Sequence, residues 1–251
     1  LYKENEVNIR QCLGEAVPTE VMRQLATNIR ASLQTKRSDE AEINRIIAER
    51  QLTQRDNLMA FLSKNPLDLD TASLMRITEL CNAHREKNAA FYTNKFIVNE
   101  IMGELPIFSK NEIRILEPSV GAGSFVPFLF KLYENVPHVI LDVVDVDQGS
   151  LEAFDLLLDK IGIAHNFTIN RICHDFLTWE PVYRYDLVVG NPPFSKLKKK
   201  TSDIIEAIKY NKNRVTNNLA ALFLEKCMRC SDCVALVLNL SLIHISEPTR
   251  R

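Results

Sequence analysis

Glycine is scarce in this chain, with seven among 251 residues. Gly121, Gly123 and Gly190 fall in two short loops that also carry the most unusual local sequence, so a backbone need is expected there. An excess of one charge is also lacking. The formal net charge is −1, so no bulk basicity announces a nucleic-acid partner, and any such contact must come from a local patch. No apolar run approaches the roughly 20 residues that span a bilayer, so no membrane partner is expected. The six cysteines lack framework-like spacing, which reads as reduced thiols and a cytoplasmic setting. No secretory signal is read from Leu1 onward. What remains is ordinary globular composition, 46% hydrophobic and 25% charged, enough for one large domain or one domain plus an appendage.

Residues 1–88 read as helical. Pro18-Thr19-Glu20 opens a candidate helix to about Gln34, and Ser38-Asp39-Glu40 caps a second. Ile43, Ile46, Ile47, Leu58, Phe61 and Leu62 form its interrupted apolar stripe, Asn65-Pro66 breaks it, and a third helix is expected from about Asp70 to Arg85. No glycine-rich, catalytic or metal-spaced motif occurs in this region, which reads as a packing or partner-binding segment. From residue 91 short apolar runs alternate with amphipathic ones, the mark of βαβ units. Strands are expected near 112–117, 139–145, 167–172, 185–190 and 233–239, with helices near 94–104, 124–134, 148–161 and 216–230. That is a parallel α/β sheet, in which ligands bind at the carboxyl ends of the strands.

Four constellations fall at those strand ends. Asn191-Pro192-Pro193-Phe194 follows the apolar strand Tyr185–Gly190. Two prolines fix their own φ and push the preceding residue into extended geometry, and they offer no N–H, so the corner presents mainly acceptors. A stiff acceptor cluster beside an aromatic ring suits the grip of an exocyclic amine on a flat heterocycle, or of an amide. Glu117-Pro118-Ser119-Val120-Gly121-Ala122-Gly123-Ser124-Phe125 is a strand ending in an acid, then a glycine turn, then a helix start. The glycines let the backbone pass close to a ligand, and Glu117 sits where a cationic amine could pair. No Lys-Ser/Thr follows, which disfavours a phosphate-cradling loop. Asp145, 24 residues beyond Gly121, is placed to hold a ribose diol, while Asp147 reads as the cap of the next helix. Asp175-Phe176, after the third strand, could bond an adenine amine and cover its ring, or simply make a turn with a core phenylalanine.

In this order the four sets resemble the S-adenosylmethionine-dependent amino-methyltransferases, most closely the N6-adenine DNA methyltransferases of restriction–modification systems. Ala90-Phe91-Tyr92-Thr93-Asn94 resembles the phenylalanine-tyrosine-threonine-proline segment of that family, with Asn94 in place of proline. Asn218–Lys226 and Val234–Leu240 resemble the next helix and strand, so the likeness covers about residues 90–241. The resemblance implies a Rossmann-like class I methyltransferase core over 89–241, behind the helical segment 1–88. It implies S-adenosylmethionine held by Tyr92, Thr93, Glu117, Pro118, Gly121, Gly123, Asp145, Asp175 and Phe176. Asn191, Pro192, Pro193 and Phe194 would be catalytic, methylating a flipped adenine in duplex DNA. An RNA base, a protein glutamine, or a fragment that only binds cofactor are the alternatives. Lys196, Lys198, Lys199 and Lys200 crowd the loop after the corner as candidate phosphate contacts. Cys227, Cys230 and Cys233 have metal-like spacing but no fourth ligand close by, and read as core; no metal is expected. No acidic-lysine nuclease pattern is read in 1–88. Residues 242–251 resemble translated adapter read-through, so they are expected to be a non-native tail on a C-terminally truncated core. A target-recognition domain or specificity subunit is then expected to be missing.

Overall fold

A computed structural model describes residues 40–85, 95–197, 199–209, 211 and 215–238. The chain divides into two compact units, 1–49 and 50–251. In the first, residues 40–49 are helical. The second contains helices α1 (Arg55–Lys64), α2 (Thr71–Arg85), α3 (Lys95–Glu104), α4 (Val126–Leu132), α5 (Gln148–Ile161), α6 (Ser202–Ala207) and α7 (Leu219–Cys230). Its strands are β1 (Glu112–Pro118), β2 (His138–Asp145), β3 (Phe167–Cys173), β4 (Leu187–Gly190) and β5 (Val234–Leu236).

The five strands form one sheet in the order β3-β2-β1-β4-β5, and every pairing is parallel. Strands β1, β2 and β4 read as near-continuous apolar runs because both faces are covered. On one face Ile113, Ile115, Val139 and Leu141 pack with Val98 and Met102 of α3, Leu129 of α4, and Leu151, Phe154 and Leu158 of α5. On the other, Leu116, Val144 and Val188 pack with Ile204 of α6 and Leu222, Phe223 and Cys227 of α7. The expected α/β class with a mostly parallel sheet is the observed one.

Local chemistry sets the helix ends. Asp147 caps α5 by accepting the Ser150 N–H at 2.8 Å, as its spacing predicted. Asn218 caps α7 in the same way through Ala220 N–H. Asn65, in the left-handed region at φ 42°, closes α1 ahead of Pro66. The stripe read from Ile43 to Leu62 is not one helix. It breaks at residues 50–54, where Gln51 has φ 51°. The start of β4 also differs from the expected 185–190. Tyr185 makes only an isolated bridge to Ser231, and Asp186 spends its carboxylate on the Arg114 N–H at 2.8 Å. Helices α1 and α2 lie against α5, through Arg55–Glu152 at 2.6 Å, Lys160 Nζ to Ser63 O at 3.2 Å, and Asn82 Nδ2 to Ser150 Oγ at 3.3 Å.

Candidate active site at the β1–β4 crevice

The order of the strands reverses at β1. Strands β2 and β3 succeed one another on one side of it, while β4 lies on the other. Such a switch point opens a crevice beyond the carboxyl ends of the strands. A cavity of about 300 Å³ lies at this point, at the small end of the range for small-molecule sites. Glu117, Gly121, Asp145, Asp175, Phe176, Asn191, Pro192 and Pro193 all line it. Four sequence segments separated by up to 76 positions therefore meet in one space. Pro118, Gly123 and Phe194 flank it within their loops without lining it. Tyr92 and Thr93 lie outside the described residues.

The glycine bend and the proline corner touch directly. Ser119 Oγ donates to Asn191 O at 3.2 Å and to Pro118 O at 2.6 Å. Gly190 permits this approach, because a Cβ there would sit 3.3 Å from Pro118 O. The bend is tight: Ser119, Gly121 and Gly123 all have positive φ, at 58°, 55° and 74°. It is pinned to β2 by Val120 N–H on Val144 O at 3.0 Å.

The acids are buried to different degrees and have different partners. Glu117 is 1% exposed, and its Oε2 has no hydrogen-bond partner among the described residues. Burial holds its carboxyl well above the usual range, and the like charge of Asp145 adds to this. Asp145 accepts N–H bonds from Gly121 on Oδ2 and from Asp147 on Oδ1, both at 3.0 Å. Burial raises its pKa, and those bonds oppose the rise. Each carboxylate oxygen keeps a second lone pair for a ligand hydroxyl. Asp175 lines the cavity while its Oδ1 accepts Leu177 N–H at 2.9 Å, so it both faces the space and shapes the turn. The Phe176 ring is 3% exposed and stacks against Phe223 with centroids 4.8 Å apart. Lys226, itself buried, donates to Leu177 O at 3.0 Å and to Trp179 O, which holds the 174–180 loop from beneath.

Two lining residues come from the segment where the sequence showed no motif. Glu79 and Asn82 project from α2. Glu79 Oε1 accepts from Ser124 Oγ at 2.5 Å. Burial pushes its carboxyl up to about 7, against the pull of Ser124 and Arg76. Their trace in the sequence is slight, being polar residues at i and i+3 beside the buried positions Leu74, Ile77 and Cys81. Beyond the corner, Lys196 and Lys199 are exposed and Lys200 is half-buried, while Lys198 lies outside the described residues. Among the described residues no cluster of three or more His, Cys, Asp or Glu is arranged to hold a metal, and no helix is long and apolar enough to cross a membrane. Cys227 and Cys230 are buried in the core, and Cys233 is half-buried.

The Eco57I restriction-modification methylase family model matches residues 143–242, a span that includes Asp145, Asp175 and the whole corner. The type II methyltransferase M.CvrRI of Paramecium bursaria Chlorella virus XZ-6E is 32% identical over 116 residues, which are 46% of this chain and 27% of that protein. The chain thus spans about a quarter of the length of this curated relative. A putative class I S-adenosylmethionine-dependent methyltransferase from Listeria monocytogenes superposes with a TM-score of 0.50 at 16% identity, over 72% of this chain and 57% of that one. A modification subunit of a putative type I restriction enzyme from Vibrio vulnificus YJ016 gives 0.46 at 16% identity, over 64% and 36%. The resemblance to restriction–modification methylases is thus borne out over residues 143–242, and the fold is that of the class I methyltransferases.

Proposed function

We propose that this protein transfers a methyl group from S-adenosylmethionine to the N6 amine of adenine in DNA, with the base flipped out of the duplex. The observation that carries the reading is the direct contact between the glycine bend and the proline corner, Ser119 Oγ to Asn191 O, beside a cavity lined by both. The cavity fits the cofactor. Glu117 offers a buried carboxylate oxygen with no donor among the described residues, suited to an ammonium group. Asp145 suits a ribose diol, Asp175 the amine of a purine, and Phe176 its face. Bound there, the cofactor would supply an electrophilic methyl on a sulfonium.

The chain's own task is to prepare the acceptor. An aromatic amine is a weak nucleophile because its lone pair is delocalised into the ring. Acceptors at the Asn191 side chain and the Pro192 carbonyl would draw on its N–H bonds, localise that pair, and favour the positive charge that develops on nitrogen. No strong general base is needed. Phe194, half-buried at the end of the corner, would stack on an extruded base. DNA as substrate is supported by the restriction–modification match and by the lysines that follow the corner, Lys196, Lys199 and Lys200, as phosphate contacts. Target choice would rest with a recognition domain or specificity subunit. The free cysteines, three of them buried, accord with a cytoplasmic setting.

Asn191→Ala is the test. It should abolish methylation of duplex DNA while leaving S-adenosylmethionine affinity within about twofold, measured by tritium transfer and calorimetry. Undiminished transfer would refute the role of the corner. Preference for RNA or a glutamine-bearing protein over duplex DNA would reassign the substrate.

A further inference from the structure

The cavity wall is acidic: Glu79, Glu117, Asp145 and Asp175 line it, and among the described residues neither lysine nor arginine does. Three of these acids lie on the Rossmann-like core. The fourth, Glu79, comes from α2, in the segment before the methylase-like region. We propose that Glu79 is a cofactor-binding residue, its carboxylate sharing the ligand's α-ammonium with Glu117, so that α2 completes the site. This rests on the reading of the cavity as an S-adenosylmethionine site.

The geometry supports it in three ways. Glu79 Oε1 is held by Ser124 Oγ, which fixes the carboxylate against the start of the helix after the glycine bend. Among the described residues its buried Oε2 has no hydrogen-bond partner, and Arg76 Nη1 stands 3.9 Å away, beyond hydrogen-bonding reach. A buried carboxylate oxygen without a donor is costly, and a ligand ammonium is the group that relieves it. Asn82, one turn on, lines the same wall and bonds Ser150 of α5, which keeps this face of α2 turned to the cavity.

The groups facing Glu79 are Arg76 on its own helix, Ser124 after the bend, Glu117 from β1, Asp145 from β2, and His174 and Asp175 after β3. Burial pushes the Glu79 carboxyl up to about 7, and only the ionised form attracts a cation. Affinity should therefore rise as pH climbs from 6 to 8.

The test is calorimetric titration of the full chain with S-adenosylmethionine at pH 6 and pH 8, for the wild type, Glu79→Gln and Ser124→Ala. Glu79→Gln keeps the shape and the Ser124 contact but loses the charge. It should weaken binding about tenfold at pH 8, in line with loss of one charge-assisted bond, and give a smaller pH rise than wild type, the remainder being the share of Glu117 and Asp145, whose carboxyls burial also raises. Ser124→Ala should retain the pH rise. Equal affinity of Glu79→Gln and wild type at pH 8 would overturn the inference and leave the cofactor reading standing. If Glu79→Gln does not fold, a wild-type affinity that stays flat from pH 6 to 8 overturns it. No binding by the wild type would overturn the cofactor reading itself.

Discussion

Gly121 and Gly123 stand two residues apart in one bend, yet a methyl group at each should do different damage. At Gly123 a Cβ would lie 2.5 and 2.6 Å from two ring carbons of Phe154. Phe154 is fully buried in α5 against the sheet and has no room to swing away. Overpacking of that kind costs about 1–3 kcal/mol. The positive φ of 74° adds roughly 1–2 kcal/mol for a residue with a side chain. The sum, about 2–5 kcal/mol, corresponds to a melting-point drop of roughly 4–20 °C for a chain of this size. At Gly121 a Cβ meets nothing within 4 Å, so only the strain at φ 55° remains, about 1–2 kcal/mol or roughly 2–8 °C. That open space is the cavity, where the cofactor is proposed to lie. Gly121→Ala should therefore lose cofactor affinity out of proportion to its stability, and Gly123→Ala should lose stability first. Circular-dichroism melts paired with calorimetric titration read both. If Gly123→Ala melts no lower than Gly121→Ala, or if it binds more weakly than Gly121→Ala while folded, the assignment of one glycine to packing and the other to the ligand is wrong.

Two other sites give sharp outcomes. Asp142, 3% exposed in β2, accepts from Tyr185 Oη at 2.6 Å, Asn170 Nδ2 at 2.7 Å and Tyr183 Oη at 2.8 Å. Asp142→Ala strands the buried Tyr185 hydroxyl and should lower stability by about 1–3 kcal/mol in urea unfolding, with Asp142→Asn losing less. Lys226→Met leaves Leu177 O and Trp179 O without their donor. It should speed amide exchange of Leu177 and Thr178 well above wild type, while exchange in β1 and β2 stays slow.

Much of this architecture could be read from the chain because local and global signals agree. The α5 boundaries, 148–161, follow from an Asp147 cap and a stripe through Leu151, Phe154 and Leu158. The apolar runs of β1 and β2 have no other use than a doubly covered sheet. The meeting of Glu117, Asp145, Asp175 and Asn191 was legible because each ends a parallel strand, and parallel strands end on one side. Glu79 was not legible. Its position depends on how α2 packs on α5, a tertiary fact that no local pattern encodes, and one carboxylate on a helix looks like surface. The late start of β4 was missed for a related reason, since at Asp186 the ladder is half side chain: its N–H donates to Arg114 O, while its carboxylate, not its carbonyl, takes the Arg114 N–H. The break at 50–54 lacks a proline or glycine to announce it.

The four-carboxylate wall has a consequence for turnover. On the proposed chemistry the ligand arrives with a positive sulfonium and leaves as an uncharged thioether. An anionic enclosure attracts the reagent more than its spent form. The reaction thus loosens the grip on its own by-product, and release is helped without any moving part.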